Sequence, residues 1–352
     1  MKRIAVIPGD GIGVDVTREA VKVLDSLRGT GDLKIEVKEF DWGAERYLRD
    51  GISMPKGGLE MLREEFDAVF VGALGDPRIP DMRHAADILL GIRFGLDLYA
   101  NVRPVKLINR KLTPLKDRTE QDIQFTVFRE NTEGAYVGIG GNFKKGTADE
   151  VAIQEEIHTR KGVERIIVFA FEYARKSHLK KVCMSDKSNV MRYGHDLWQR
   201  VFKEVSERYP DIISSHLYVD ALTMQMVKNP GQFEVIVTNN MFGDIVTDLG
   251  AALQGGLGLA ASGNINPEVT SMFEPVHGSA PKYAGKNIAN PLGAILTVAM
   301  MLAHLGFEAE ARRIEDAVRH SIDQEITTAD LNGRFGTREV GDFIAAQMSS
   351  PR

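Results

Sequence analysis

The sequence predicts an α/β protein with a parallel or mixed sheet, organised in two domains. Three observations lead there. Short apolar runs such as Ile4 to Ile7 and Ala68 to Gly72 alternate with segments of helical apolar spacing, the pattern of strand–helix–strand units. At 352 residues the chain has room for about two hydrophobic cores. Its hydrophobic content of 43% and charged content of 26% are those of an ordinary globular chain.

Taken in order, Ile4 to Ile7 reads as a buried strand, and Pro8-Gly9-Asp10-Gly11-Ile12-Gly13 turns it into a helix. Val16, Ala20, Leu24 and Leu27 keep helical spacing there. Ile35 and Val37 alternate with charges, as in a partly exposed strand. Helices are expected over Trp42 to Arg49 and around Met61 to Glu65, before the buried strand Ala68 to Gly72. In the middle third, Tyr99 to Lys106, Phe125 to Arg129 and Val151 to Thr159 read as strands, with Gly138-Ile139-Gly140-Gly141 between the last two. Helices return at Gly162 to Ser177 and Tyr193 to Tyr209, among the short strands Lys181 to Met184 and Ser214 to Val219. Phe233 to Val237 is a further buried strand, and the helix after it leads through Gly255 to Leu259 into a region expected to be mainly helical. Leu292 to Leu305 is apolar nearly all round, which suits a buried helix. No long linker separates the thirds, so the domains are expected to interleave.

The net charge of −5 and the lack of a dense Lys/Arg block argue against a nucleic-acid surface. The single cysteine, Cys183, excludes an intrachain disulfide and suits a reducing compartment. Met1 to Ile7 runs straight into a strand, and the longest apolar stretch, Leu292 to Ala303, falls short of a membrane span, so a cytoplasmic location is expected.

Several residues carry chemistry. Asp244 and Asp248 stand four apart, so on a helix both carboxylates leave one face. They would repel unless a hard divalent cation such as Mg²⁺ or Mn²⁺ joined them; the alternative is a solvated acidic face. Arg93, Arg103 and Arg129 suit a substrate with two carboxylates if they converge, and are otherwise ordinary surface arginines. Lys187, in Ser185-Asp186-Lys187-Ser188-Asn189, is a candidate base, and Tyr136 a candidate acid, against the simpler readings of an exposed lysine and a packing tyrosine. Glu274 to Pro281, with His277 and followed by Asn290-Pro291, forms a loop able to receive a nucleotide. Gly9 to Gly13 lacks the G-x-G-x-x-G spacing and is better read as a structural turn.

Together these segments resemble the β-decarboxylating dehydrogenases: the isopropylmalate, isocitrate, homoisocitrate and tartrate/D-malate dehydrogenases. The matching pieces are Pro8 to Gly13, Asp97 to Pro104, Arg129 to Gly134, Asp186 to Asn189, Asn240 to Asp244 with Asp248, and the His277 loop, in family order along the whole chain. The resemblance implies a two-domain isopropylmalate dehydrogenase-like α/β fold that is not a standard Rossmann fold. Residues 1–99 plus 255–352 would bind the nucleotide, and residues 100–254 would bind substrate and metal and form a homodimer with shared active sites. It implies Arg93, Arg103 and Arg129 on the malate carboxylates, and Asp244 and Asp248, with Asp220 from a partner, on Mg²⁺ or Mn²⁺. Lys187, also from the partner, would be the base and Tyr136 the acid in oxidation at C2 followed by loss of CO₂. Glu274, His277, Gly278, Ser279, Ala280, Lys282, Tyr283 and Asn290 would contact the cofactor. NAD is expected, with NADP possible because Lys282-Tyr283 resembles the pair of NADP-dependent isocitrate enzymes.

For the substrate, Leu89 and Leu90 before Arg93 resemble the apolar wall of isopropylmalate enzymes, and Asp87 would repel a third carboxylate. Ala86, however, replaces their usual glutamate, and Glu130 to Gly134 looks closer to the isocitrate, homoisocitrate and tartrate branches. 3-Isopropylmalate therefore leads, ahead of tartrate or D-malate and then (homo)isocitrate. A regulatory subunit of the isocitrate type is the non-enzymatic alternative, opposed by the presence of Tyr136, Lys187 and all three aspartates.

Overall fold

The computed structural model describes residues 1–29 and 33–349; residues 30–32 and 350–352, which the sequence assigns to the nucleotide domain, lie outside the described residues. Its strands are β1 (Lys2–Gly9), β2 (Ile35–Glu39), β3 (Ala68–Ala73), β4 (Ala100–Lys106), β5 (Gln124–Glu130), β6 (Gly140–Phe143), β7 (Val151–Gln154), β8 (Lys181–Asp186), β9 (Ile213–Tyr218), β10 (Val235–Thr238), β11 (Ala261–Ile265) and β12 (Ser271–Pro275). Its helices are α1 (Ile12–Gly29), α2 (Ala44–Asp50), α3 (Gly58–Glu65), α4 (Arg83–Gly95), α5 (Arg160–Lys176), α6 (Gly194–Ser206), α7 (Val219–Lys228), α8 (Asn240–Gln254), α9 (Leu292–His304), α10 (Glu308–Asp323) and α11 (Thr337–Ser349).

The chain divides into two compact units. The first comprises Met1–Leu98, Leu107–Glu120 and Ala251–Arg352, so residues 107–120 belong to it and not to the middle segment in which the sequence reading placed them. Its strands run β2-β1-β3-β12-β11, all parallel except β11, which pairs antiparallel with β12. β1 and β3 are apolar on both faces, as a covered parallel sheet requires. On one side α1 buries Val16, Ala20, Val23, Leu24 and Leu27 in the same core as Leu292, Ile295, Val298 and Leu302 of α9. Each Val, Leu or Ile among them contributes about 1.5–3 kcal/mol by leaving water, so this face holds the unit together. On the other, Trp42, Leu62, Ile88 and Ile92 pack with Val69 and Val71. Ile88 and Ile92 are the inward stripe of α4, which leaves Leu89, Leu90 and Arg93 only partly covered.

The second unit comprises Tyr99–Lys106 and Gln121–Gly250. Its strands run β4-β5-β10-β8-β9, with β4 antiparallel to β5 and the rest parallel. The strand β10 is completely buried, and α5 lays Val163, Ile166, Ile167, Ala170 and Phe171 against this sheet's core. β6 and β7 form a separate antiparallel ribbon with Phe143 and Ile153 exposed.

Four elements differ from the sequence reading. β11 and β12 lie in the stretch expected to be helical; their Ser, Gly, Asn and Pro residues have poor strand propensity, and burial on both faces overrides it. The strand expected over Val151 to Thr159 ends at Gln154, and α7 occupies a segment with no clear helical signal. No helix among the described residues is long and apolar enough to cross a membrane.

Candidate active site

In the second unit the site is built at the head of α8. Asn239 precedes the helix and its Oδ1 accepts the Phe242 N–H at 2.8 Å, the usual arrangement of an asparagine cap. Asn240, one position on, accepts from Arg129 Nε at 2.9 Å and donates to the Glu133 carbonyl at 3.0 Å, tying the end of β5 to the helix. Gly243 makes the approach possible. A Cβ there would stand 2.5 Å from Arg129 Cγ, well inside van der Waals contact.

Asp244 is the hub. One carboxylate oxygen is bound by Arg129 Nη1 and lies 3.4 Å from Arg103 Nη2; the other accepts the Tyr136 hydroxyl at 2.9 Å. Arg103 is itself aimed by Asn101 at 2.8 Å and Thr247 at 2.7 Å. Arg103 and Arg129 are both buried. The Arg129 guanidinium lies 5.1 Å from the centre of the Tyr136 ring. Burial opposes the charge on Asp244, but Arg129 and Arg103 outweigh it and hold the carboxyl below its ordinary value. Asp248 is one turn further along, more exposed, with Arg103 4.0 Å away. Burial, and next the neighbouring Asp244 charge, push its carboxyl above the ordinary value. Burial likewise raises the Tyr136 phenol.

Two hard carboxylates on one helix face, the outer one destabilised by the inner, fit a divalent cation of the Mg²⁺ type, which binds few protein carboxylates and keeps waters or substrate oxygens besides. Asp220 does not join them in this chain. It lies in the first turn of α7, 2.7 Å from Lys187 Nζ, which follows β8. Hydrogen bonding to Lys187 lowers its carboxyl.

The first unit holds Arg93 and the loop after β12. Arg93 donates to Glu274 at 2.6 Å; the same carboxylate oxygen accepts from Asn264 at 2.9 Å, while Arg93 Nε is buried with no hydrogen-bond partner. Leu89 packs against the core of this unit, and Asp87 accepts from Ser53 at 2.8 Å. The Gly9 to Gly13 turn is braced by the loop after β12. Ile12 donates to the Ser279 carbonyl at 2.7 Å, and a Cβ on Gly11 would stand 2.1 Å from that oxygen. Asp10, which the sequence reading passed over, is a buried knot that accepts from Ala44 and Gly75 N–H groups and pairs with His84.

The loop continues through Gly278, open on its Cβ side, and Ala280, a non-glycine residue at φ 36°. His277 Nε2 is buried without a partner, and burial lowers the imidazole below its ordinary value. An orphaned imidazole nitrogen beside a strained loop fits a nucleotide that would supply the missing partner. Lys282 lies 4.7 Å from the Tyr283 ring centre, and Asn290 donates to Asp330 at 2.9 Å while accepting from the Leu292 N–H at the start of α9.

A strand-to-helix junction bearing two arginines, two aspartates and a tyrosine, on a mixed α/β framework, suits a ligand with carboxylates beside a divalent cation. The chain belongs to the isocitrate/isopropylmalate dehydrogenase family, whose sequence profile it matches over residues 3–344. It is 47% identical to the 3-isopropylmalate dehydrogenase of Streptomyces griseus over 99% of this chain and 98% of that one. It is 48% identical to the enzyme of that name from Corynebacterium efficiens, over 98% and 99%. Among solved structures it superposes on isocitrate dehydrogenase from Methylococcus capsulatus with a TM-score of 0.89 at 37% identity, covering 99% of this chain and 100% of that one. The TT0538 protein from Thermus thermophilus gives 0.85 at 38%, covering 99% of this chain and 68% of that one.

Proposed function

We propose that this chain oxidises and decarboxylates 3-isopropylmalate with NAD and Mg²⁺ or Mn²⁺. The observation that carries the reading is the Asp244 hub, where two buried arginines and a tyrosine converge on one carboxylate with Asp248 beside it. Arg103 and Arg129 hold the malate carboxylates, with Arg93 the third cation of the set. Asp244 and Asp248, with Asp220 of the partner subunit, would hold the cation, which would supply Lewis acidity, and a bound nicotinamide would supply the hydride acceptor. Lys187 accepts the C2 hydroxyl proton at Nζ. Tyr136, whose phenol burial raises above its ordinary value, delivers a proton to carbon after CO₂ leaves, and Arg129 beside its ring steadies the phenolate.

The engagement of Asp220 with Lys187, away from Asp244, supports a homodimer in which those two residues serve the neighbouring site. Glu274, His277 to Ala280, Lys282, Tyr283 and Asn290 form the nucleotide-binding part of residues 1–99 and 255–352. NAD is preferred over NADP because Lys282 has no tyrosine and arginine at the matching later positions, where Thr328 to Gly333 stand and Arg334 is one residue away. A cytoplasmic location goes with this metabolic role.

The test is turnover of 3-isopropylmalate, D-malate, tartrate, isocitrate and homoisocitrate with NAD and with NADP. 3-Isopropylmalate with NAD should give the highest kcat/KM. Preference for D-malate or tartrate would overturn the substrate assignment, and at least a hundredfold preference for NADP would overturn the cofactor.

A further inference from the structure

Outside the residues assigned above, the described residues hold one cluster of three ligand-type side chains within 4.8 Å of one another: Glu156, His158 and His195. Its composition suggests a metal site, and its hydrogen bonds argue otherwise. The Lys187 backbone N–H donates to His195 Nδ1 at 2.8 Å, and the Trp198 indole N–H donates to His158 Nδ1 at 3.2 Å. Neither partner can accept, so each Nδ1 presents a lone pair, and each neutral ring carries its proton on Nε2. Both Nε2 atoms face Glu156, at 3.0 Å for His158 and 3.6 Å for His195. A cation among the three would need those same Nε2 lone pairs.

Glu156 instead faces both rings, within ion-pair distance of each Nε2. Burial opposes its charge, and the neighbouring His158 and His195 rings lower its carboxyl below the ordinary value. Asn239, its Oδ1 already taken by the Phe242 N–H, turns its Nδ2 to Glu156 at 3.3 Å. That Nδ2 also lies 3.2 Å from His195 Nε2, so α6 and the head of α8 meet at this point. His195 is fully buried on α6, and Gln199, one turn on, donates to Asp186 at 2.9 Å and lies 3.2 Å from the Ser188 hydroxyl. One face of α6 therefore grips the turn carrying Lys187 on both sides.

We propose that His195, its Nδ1 held as an acceptor by the Lys187 N–H, is a positioning residue for Lys187, tying the turn that bears this lysine to the head of α8. The inference rests on the reading of Lys187 as the proton acceptor. Without an acceptor at Nδ1 the Lys187 N–H loses its anchor, and the Nζ position loosens while substrate contacts elsewhere stay in place.

An isosteric pair tests it. His195→Asn places an amide oxygen near the Nδ1 position, whereas His195→Leu fills the same space without an acceptor. Both are assayed in the full-length protein on the best substrate of the panel, beside Lys187→Met and with melting temperatures recorded. The Leu variant should have a kcat about tenfold or more below the Asn variant, with KM within about twofold and similar melting temperatures. Equal kcat values, or a difference confined to KM, would overturn the positioning role while an inactive Lys187→Met left the catalytic reading intact. An active Lys187→Met would overturn that reading itself, and the proposal with it.

Discussion

Replacing Gly243 by alanine should damage catalysis far more than folding. The added Cβ would stand 2.5 Å from Arg129 Cγ, 2.6 Å from its Cβ and 3.1 Å from its Cδ, and Arg129 is almost fully buried, so the arginine or the head of α8 has to move. Overpacking of this kind costs about 1–3 kcal/mol. Alanine in place of glycine within a helix returns about 1 kcal/mol, leaving a net loss of roughly 0–2 kcal/mol and a small fall in melting temperature. The displaced guanidinium, however, takes with it the bonds to Asn240 and Asp244 that align the site. A misplacement of about 1 Å can cost about a hundredfold in rate, equivalent to about 2.7 kcal/mol of barrier. Gly141→Ala, whose Cβ meets nothing within 4 Å, is the matched control. The assay is kcat/KM together with thermal unfolding for both variants. Equal kcat/KM in Gly243→Ala and Gly141→Ala would refute the claim that the contact between Arg129 and α8 sets the site.

Three further outcomes follow from the same geometry. Asp248→Asn removes a like charge at i, i+4, worth about 0.2–0.5 kcal/mol, so the metal-free protein should be no less stable, yet it should lose the rise in melting temperature that Mn²⁺ gives the wild type; an undiminished rise would remove Asp248 from the metal set. Leu90→Ala should penalise 3-isopropylmalate over D-malate by about 1–3 kcal/mol in kcat/KM, and equal losses would point away from an apolar pocket. Lys187→Ala and Asp244→Asn chains, each inactive, should regain part of the activity when mixed and allowed to exchange, because one site of each heterodimer is whole; verified heterodimers without activity would place each site within one chain.

Much of this was legible before any coordinates. The buried strands β1, β3 and β10 and the apolar helix α9 announce themselves because their side chains leave water on every face. The spacing of Asp244 and Asp248 already put both carboxylates on one helix face, and Arg129 and Tyr136 lie in one short stretch of sequence. Other parts left no local trace. β11 and β12 are strands through burial alone, against their composition. Asp10 looked like part of a turn, yet its carboxylate binds groups from three other segments. The Glu156 cluster unites residues up to 83 positions apart, and only the fold brings them together. Asn240 and Gly243 stood within the recognised stretch, but their service to Arg129 is a matter of distance.

On the proposed function, the Asp244 and Asp248 face of α8 supports metal-dependent oxidative decarboxylation of 3-isopropylmalate. The most direct measurement follows NADH and CO₂ together in one reaction of purified protein, 3-isopropylmalate and NAD, with Mn²⁺ present and then withdrawn by EDTA. The account predicts equal amounts of both products, falling to background on chelation and returning with excess Mn²⁺. NADH formed without CO₂, or full turnover in EDTA, would contradict it.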